Sequence, residues 1–207
     1  MTPRRHPWLA TAGPDGPQTG ISNGITHHHY QSPLLRPPTP ADGAALHQLI
    51  RHCPPLDLNS RYAYLLQGLH FADTCVVASD EDGLAAYISG YIQPAQPDTL
   101  FIWQVAVAMQ ARGQGLALRM LQHVLARPAC RSVRWLETTV SPDNQASARL
   151  FQRLAARLDC RCEVYELFPA SAFGAGSTHA AEPLYRIGPF TPTTTNTPEG
   201  HHVHHHL

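Results

Sequence analysis

Charge is scarce in this chain and favours neither sign. Only 14% of its 207 residues are Asp, Glu, Lys or Arg, with 15 cations against 15 anions. Zero net charge provides no electrostatic footprint for nucleic acid or an anionic membrane, so neither partner is expected. Such low charge implies a neutral surface or a face covered by a second copy, and a homodimer is the expectation. No run of about 18 apolar residues occurs, which excludes a transmembrane helix. Arg4 and Arg5 are not followed by an apolar segment, so no secretory signal is read. Cys53, Cys75, Cys130, Cys160 and Cys162 are odd in number and form no Cys-x-x-Cys pair. That argues against a disulfide framework or a zinc site and for a reducing cytoplasm. Cys160 and Cys162, two apart, share a strand face as small apolar side chains.

Residues 1–34 and 191–207 are rich in Pro, Gly, Thr, Ser and His without periodicity. They cannot bury enough apolar surface to offset chain entropy, and both are expected to be disordered tails. They hold nine of the 14 histidines, and His tracts bind transition metals adventitiously; no functional metal is assigned. Residues 35–190 are then the folded domain.

Within it strands and helices alternate. Thr39-Pro40-Ala41-Asp42 reads as a helix start, with Thr39 as cap and Pro40 in the first turn; that helix stops at Pro54-Pro55. A second short helix runs from Ser60 to Leu69, capped by Asn59 or Ser60. Strands are expected at 75–79, 84–91 and 99–107, the first two joined by an Asp80-Glu81-Asp82-Gly83 hairpin turn. A helix over 115–127, a strand over 132–140, a helix from Asn144 to Leu158 and strands at 163–167 and 184–187 follow. The pattern indicates an α/β (α+β) layered domain.

The most informative stretch lies from Trp103 to Ala117. Val105 and Val107 mark an apolar strand, Gln110-Ala111-Arg112-Gly113-Gln114-Gly115 a turn, and Leu116, Met120, Leu121, Val124 and Leu125 follow at helical spacing. Consecutive N–H groups in such a turn, backed by a helix N-terminus, make a cradle for a diphosphate. Gly113 and Gly115 keep side chains off the phosphate oxygens and permit unusual backbone angles.

This Gln-x-x-Gly-x-Gly turn resembles the acyl-CoA loop of the GCN5-related N-acetyltransferase superfamily. Asn144-Gln145-Ala146-Ser147-Ala148-Arg149-Leu150-Phe151 is similar to that superfamily's Asn-x-x-Ala-x-x-Leu-Tyr helix beside the pantetheine. The resemblance implies a mixed, mostly antiparallel sheet flanked by helices, with two central strands splayed into a slot for acetyl-CoA. Blocks at Pro55–Tyr62, His70–Cys75, Phe101–Val107, Leu136–Val140, His179–Glu182 and Arg186–Pro189 resemble the ectoine-pathway L-2,4-diaminobutyrate acetyltransferases. They imply acetyl transfer from acetyl-CoA to the 4-amino group of L-2,4-diaminobutyrate. Where the superfamily carries a tyrosine that protonates the leaving thiolate, this chain has Phe151, so that role stays unassigned.

Such a reaction needs a neutral amine. With a pKa of about 10.4, an alkyl amine is neutral in roughly one part in a few thousand at pH 7, so a proton acceptor is required. Glu182 is the candidate base, acting directly or through a water with His179 beside it; Glu137 is the competing base and substrate-binding carboxylate. Asp57 is either the anchor for a substrate ammonium or a helix cap. The resemblance places Asp57 with Tyr62 and Trp103 in the substrate site, where the two aromatics would shape and dry the pocket; plain core packing is their alternative. The N–H of Val105 or Val107 is the candidate oxyanion donor, freed where the strand bulges. Gln110, Arg112, Gly113, Gln114, Gly115 and Leu116 form the cradle, and Asn144 caps its helix or bonds the pantetheine. His70 reads as structural. Acetylation of another small or protein amine, and a silent acyl-CoA sensor, are the competing functions.

Overall fold

The computed structural model describes residues 32–175 and 177–191. The expected tails therefore lie outside the described residues, apart from 32–34 and 191, as does Gly176.

In chain order the elements are β1 (Leu34–Arg36), α1 (Gly43–Arg51), α2 (Arg61–His70), β2 (Val76–Asp80), β3 (Gly83–Gln93), β4 (Gln96–Val107), α3 (Leu116–Leu125), β5 (Trp135–Thr139), α4 (Gln145–Arg157), β6 (Arg161–Phe168) and β7 (Glu182–Gly188). The strands form one seven-stranded sheet in the order β1-β2-β3-β4-β5-β7-β6. Only β4 and β5 run parallel; every other neighbouring pair is antiparallel.

Alternation along the strands feeds two cores. On one face Leu100, Ile102, Leu136 and Ile187 pack with Met120, Leu121 and Val124 of α3 and with Phe151 and Leu154 of α4. On the other, Val77, Tyr87 and Ala106 pack with Leu46 and Ile50 of α1 and Tyr64 of α2. All five apolar residues read as the inner stripe of α3 are buried.

Several boundaries differ from expectation. Leu34, assigned to a tail, opens β1, whose three residues pair with β2. The first helix begins with a 3-10 turn at Pro40–Asp42 and α1 ends at Arg51, before the proline pair. Its start is held by Asp42, whose carboxylate accepts from the Thr39 N–H at 2.7 Å and from Arg36 at 2.7 and 2.8 Å. Arg36 holds the Asp42 carboxyl down at about 2. Ser60, rather than Asn59, caps α2, accepting from the Ala63 N–H. Strand β3 runs on to Gln93 and turns back through Pro94-Ala95 into β4, a hairpin the sequence pattern does not announce.

Candidate active site

Strands β4 and β5 pair from Thr99↔Trp135 to Ile102↔Thr138 and no further, although β4 continues to Val107. Past Ile102 the two strands diverge, and the gap is a slot of about 390 Å³. Its walls are Val105 and Val107 of β4, Pro54, Pro55 and Leu56 of the α1–α2 loop, Gly113 and Gly115 to Leu118 at the head of α3, and Asn144, Ser147 and Leu150 at the start of α4.

The β4 strand bulges at the mouth of this gap. Ser89 pairs with Gln104 and Gly90 with Ile102, leaving Trp103 without an opposite residue. A Cβ on Gly90 would lie 2.8 Å from the Phe101 carbonyl oxygen, so glycine permits the close approach there. The N–H groups of Gln104 and Ala108 both face β3, bonding Ser89 Oγ at 3.2 Å and the Ala85 carbonyl at 2.8 Å. Strand alternation then turns the N–H groups of Val105 and Val107 towards the slot, where β5 offers them no partner.

The turn that follows has the cradle's geometry. Gly113 has φ 76° and Gly115 φ 69°, and Gly115 is the N-cap of α3 in the left-handed region. An added Cβ would meet nothing within 4 Å at either position. The backbone angle, not crowding by protein atoms, is what requires glycine. Arg112 folds back through its Nε to the Val107 carbonyl at 3.0 Å, and Gln114 donates to the Gln110 carbonyl at 3.1 Å. Asn144 accepts from the Ser147 N–H as the cap of α4 and lines the slot. A slot lined by apolar walls, a helix N-terminus and arginines, with no carboxylate on its walls, fits an acyl thioester carrying a diphosphate. Phe151 is 2% exposed in the core, and its neighbour Leu150 faces the slot instead.

On the amine side, residues distant in sequence meet. His179 Nε2 stands 3.7 Å from Asp57 Oδ2. The imidazole stacks on Phe173, ring centroids 3.9 Å apart, and its Nδ1 donates to the Ala180 carbonyl at 2.8 Å. That carbonyl bond, with the charges of Asp57 and Glu182, pushes the His179 pKa up from its ordinary value. Glu182 opens β7 and accepts from Ser141 Oγ at 2.7 Å, at the divergent end of β5. Sequence reading missed Gln104, which is 4% exposed and donates through Nε2 to the Asp57 carbonyl at 2.7 Å. It ties the Asp57 loop to β4.

Two expectations need correction. Tyr62 and Trp103 do not close a dry pocket in the single chain: they are 67% and 51% exposed, and neither lines the slot. Glu137 is not an available base. The residue is 5% exposed, and its carboxylate accepts from Gln93 Nε2 at 2.6 Å and pairs with Arg186 at 3.3 Å. Arg186 in turn lies over the Trp135 ring at 4.3 Å. Among the described residues no cluster of three or more potential metal ligands occurs, and no helix is long and apolar enough to cross a membrane.

Comparison with known proteins agrees with this geometry. Residues 43–156 match the acetyltransferase (GNAT) family. An L-2,4-diaminobutyric acid acetyltransferase of Bordetella parapertussis is 54% identical over 158 residues, covering 76% of this chain and 84% of that one. Its counterpart from Chromohalobacter salexigens is 44% identical over 193 residues, covering 93% and 98%. Among solved structures, the diaminobutyrate acetyltransferase of Paenibacillus lautus, in complex with L-2,4-diaminobutyric acid and coenzyme A, is 44% identical with a TM-score of 0.75, covering 78% of this chain and 98% of that one.

Proposed function

The chain belongs to the acetyltransferase (GNAT) family and, within it, to the L-2,4-diaminobutyric acid acetyltransferases, and we propose that it moves the acetyl group of acetyl-CoA onto the 4-amino group of L-2,4-diaminobutyrate, the step before ring closure to ectoine. The observation that carries this reading is the slot between β4 and β5, with the left-handed Gly113 and Gly115 turn at one end and the Asp57–His179 pair beside its Leu56 wall.

In this reading the N–H groups from Gln110 to Leu116 and the α3 N-terminus hold the diphosphate, while Asn144 and Leu150 flank the pantetheine. The N–H of Val105 or Val107 receives the negative charge that develops on the thioester oxygen. Glu182 takes the proton from the attacking amine, directly or through a water, and Ser141 orients its carboxylate. Asp57 holds the substrate's other ammonium; Gln104 and His179 fix Asp57. Glu137 is left out because its charge is already matched by Arg186. No side chain is assigned to protonate the sulfur: Phe151 is buried, and a thiol of pKa about 8.5 leaves as the thiolate at modest cost.

Residues 35–190, with Leu34 added, form the acetyltransferase domain of a cytoplasmic homodimer in this reading. Tyr62, Leu65 and Leu69 make an exposed apolar stripe along α2, with exposed Leu58 in the loop before it, and a second copy would cover such surface. The same exposure of Tyr62 and Trp103 suits an open groove for a protein amine, the second reading. Thiol release from acetyl-CoA across a panel of diamines and monoamines decides between them. L-2,4-diaminobutyrate should exceed its nearest analogues by at least about 100-fold in kcat/KM, since an analogue leaves the site's polar partners unpaired. Equal rates with peptide N-termini, or no release at all, would overturn the assignment in favour of a protein acetyltransferase or a silent acyl-CoA sensor.

A further inference from the structure

The slot's charge is one-sided. Arg112, Arg149 and Arg153 line it, and no carboxylate does. The chain has no lysine, so all 15 of its permanently charged cations are arginines. Arg149 and Arg153 sit four apart on α4 and so share one helix face, where two like charges repel. Both are exposed, and among the described residues the ion pairs involve other cations: Arg36, His179 and Arg186. The two guanidiniums therefore face a cavity in a repulsive pair that an anion would relieve.

Arg112 is spoken for differently, since its Nε bonds the Val107 carbonyl and holds it beside the turn. The diphosphate of an acyl-CoA already has main-chain donors at that turn on the α3 side. The same ligand carries one more anion, the 3′-phosphate of its adenosine, a monoester with a charge near −2 at neutral pH. Paired guanidiniums suit a monoester because each presents a fork of donors to phosphate oxygens.

We infer that Arg149 and Arg153 form a clamp on α4 for the 3′-phosphate of the acyl donor, so that the enzyme selects 3′-phosphorylated CoA over otherwise identical thioesters. The inference rests on the acetyl-CoA reading and adds which donor is accepted and by which residues.

The test compares acetyl-CoA with acetyl-3′-dephospho-CoA as donors, and CoA with 3′-dephospho-CoA as ligands in calorimetry. In the wild type, KM and Kd should be on the order of 10- to 100-fold lower for the phosphorylated forms, the span expected for charge-assisted bonds. In the Arg149→Ala, Arg153→Ala double variant that preference should shrink to within about threefold through weaker binding of the phosphorylated form alone, again judged against charge-assisted bond strengths. Arg149→Lys with Arg153→Lys should restore part of it. Equal use of both donors by the wild type overturns the clamp, as does a double variant that loses both donors alike. A preference that survives the double substitution does the same. Absence of turnover with either donor would count against the acetyltransferase reading, and the calorimetry would still decide the clamp.

Discussion

At the scale of single residues, the proposed amine side rests on Asp57 together with His179 and Glu182, which lie more than 120 residues away along the chain. Replacing Glu182 by Gln keeps its shape and its partner Ser141 but removes the base. Its kcat should fall on the order of 100-fold or more, the usual share of general-base catalysis, with the Kd for acetyl-CoA unchanged; an unaltered rate at pH 7 would remove it from the role. His179 offers a pH signature. Its raised pKa means that the folded state favours the imidazolium, so the pairing with Asp57 is fully present below about pH 6.5 and fades as pH rises through the raised value. NMR titration should find the His179 pKa above that of a free histidine, and Asp57→Asn should lower it. A titration indifferent to Asp57 would dissolve the pair. Gln104 shows why such sites resist sequence reading: an amide between Trp103 and Val105 looks like strand filler until the fold lays the Asp57 carbonyl 2.7 Å from it.

At the scale of elements, the strand, glycine turn and helix proposed as the cradle were legible because they are contiguous. An apolar strand, two glycines and a helical stripe follow one another within about one turn's reach, and each has its own local physics. What was not legible depended on pairing across the sheet. The bulge that leaves Trp103 unpaired falls where Gly90 passes close to the Phe101 carbonyl, and Arg186 reaches Glu137 because the β5–β7 register sets the two opposite. The three-residue β1 is too short for any periodicity to register. Gly115→Val tests the cradle. A β-branched residue in a left-handed cap is strained by roughly 1–2 kcal/mol, so the protein should still fold. Its affinity for acetyl-CoA should drop at least about tenfold through lost N–H alignment. Unchanged calorimetric affinity would show that the diphosphate binds elsewhere.

At the scale of the molecule, the sheet does two jobs with one discontinuity. Four pairs of residues hold β4 and β5 together at one end, and their separation at the other opens the groove and leaves two N–H groups of β4 without a partner on β5, with Leu56 on the groove wall. In the proposed mechanism acyl donor and amine approach from structures anchored to the same strand, β4, through Val105 and Gln104. The proposed binding mode also fixes regiochemistry: with the 2-ammonium held at Asp57, the 4-amino nitrogen is the one presented to the thioester. The decisive measurement is NMR of the product formed from acetyl-CoA and L-2,4-diaminobutyrate labelled with nitrogen-15 at the 4-amino group. An amide proton coupled to that label, with the 2-amino group still titrating as an amine, is the result this account predicts. Acetyl on the 2-amino nitrogen, or an even mixture, would contradict it.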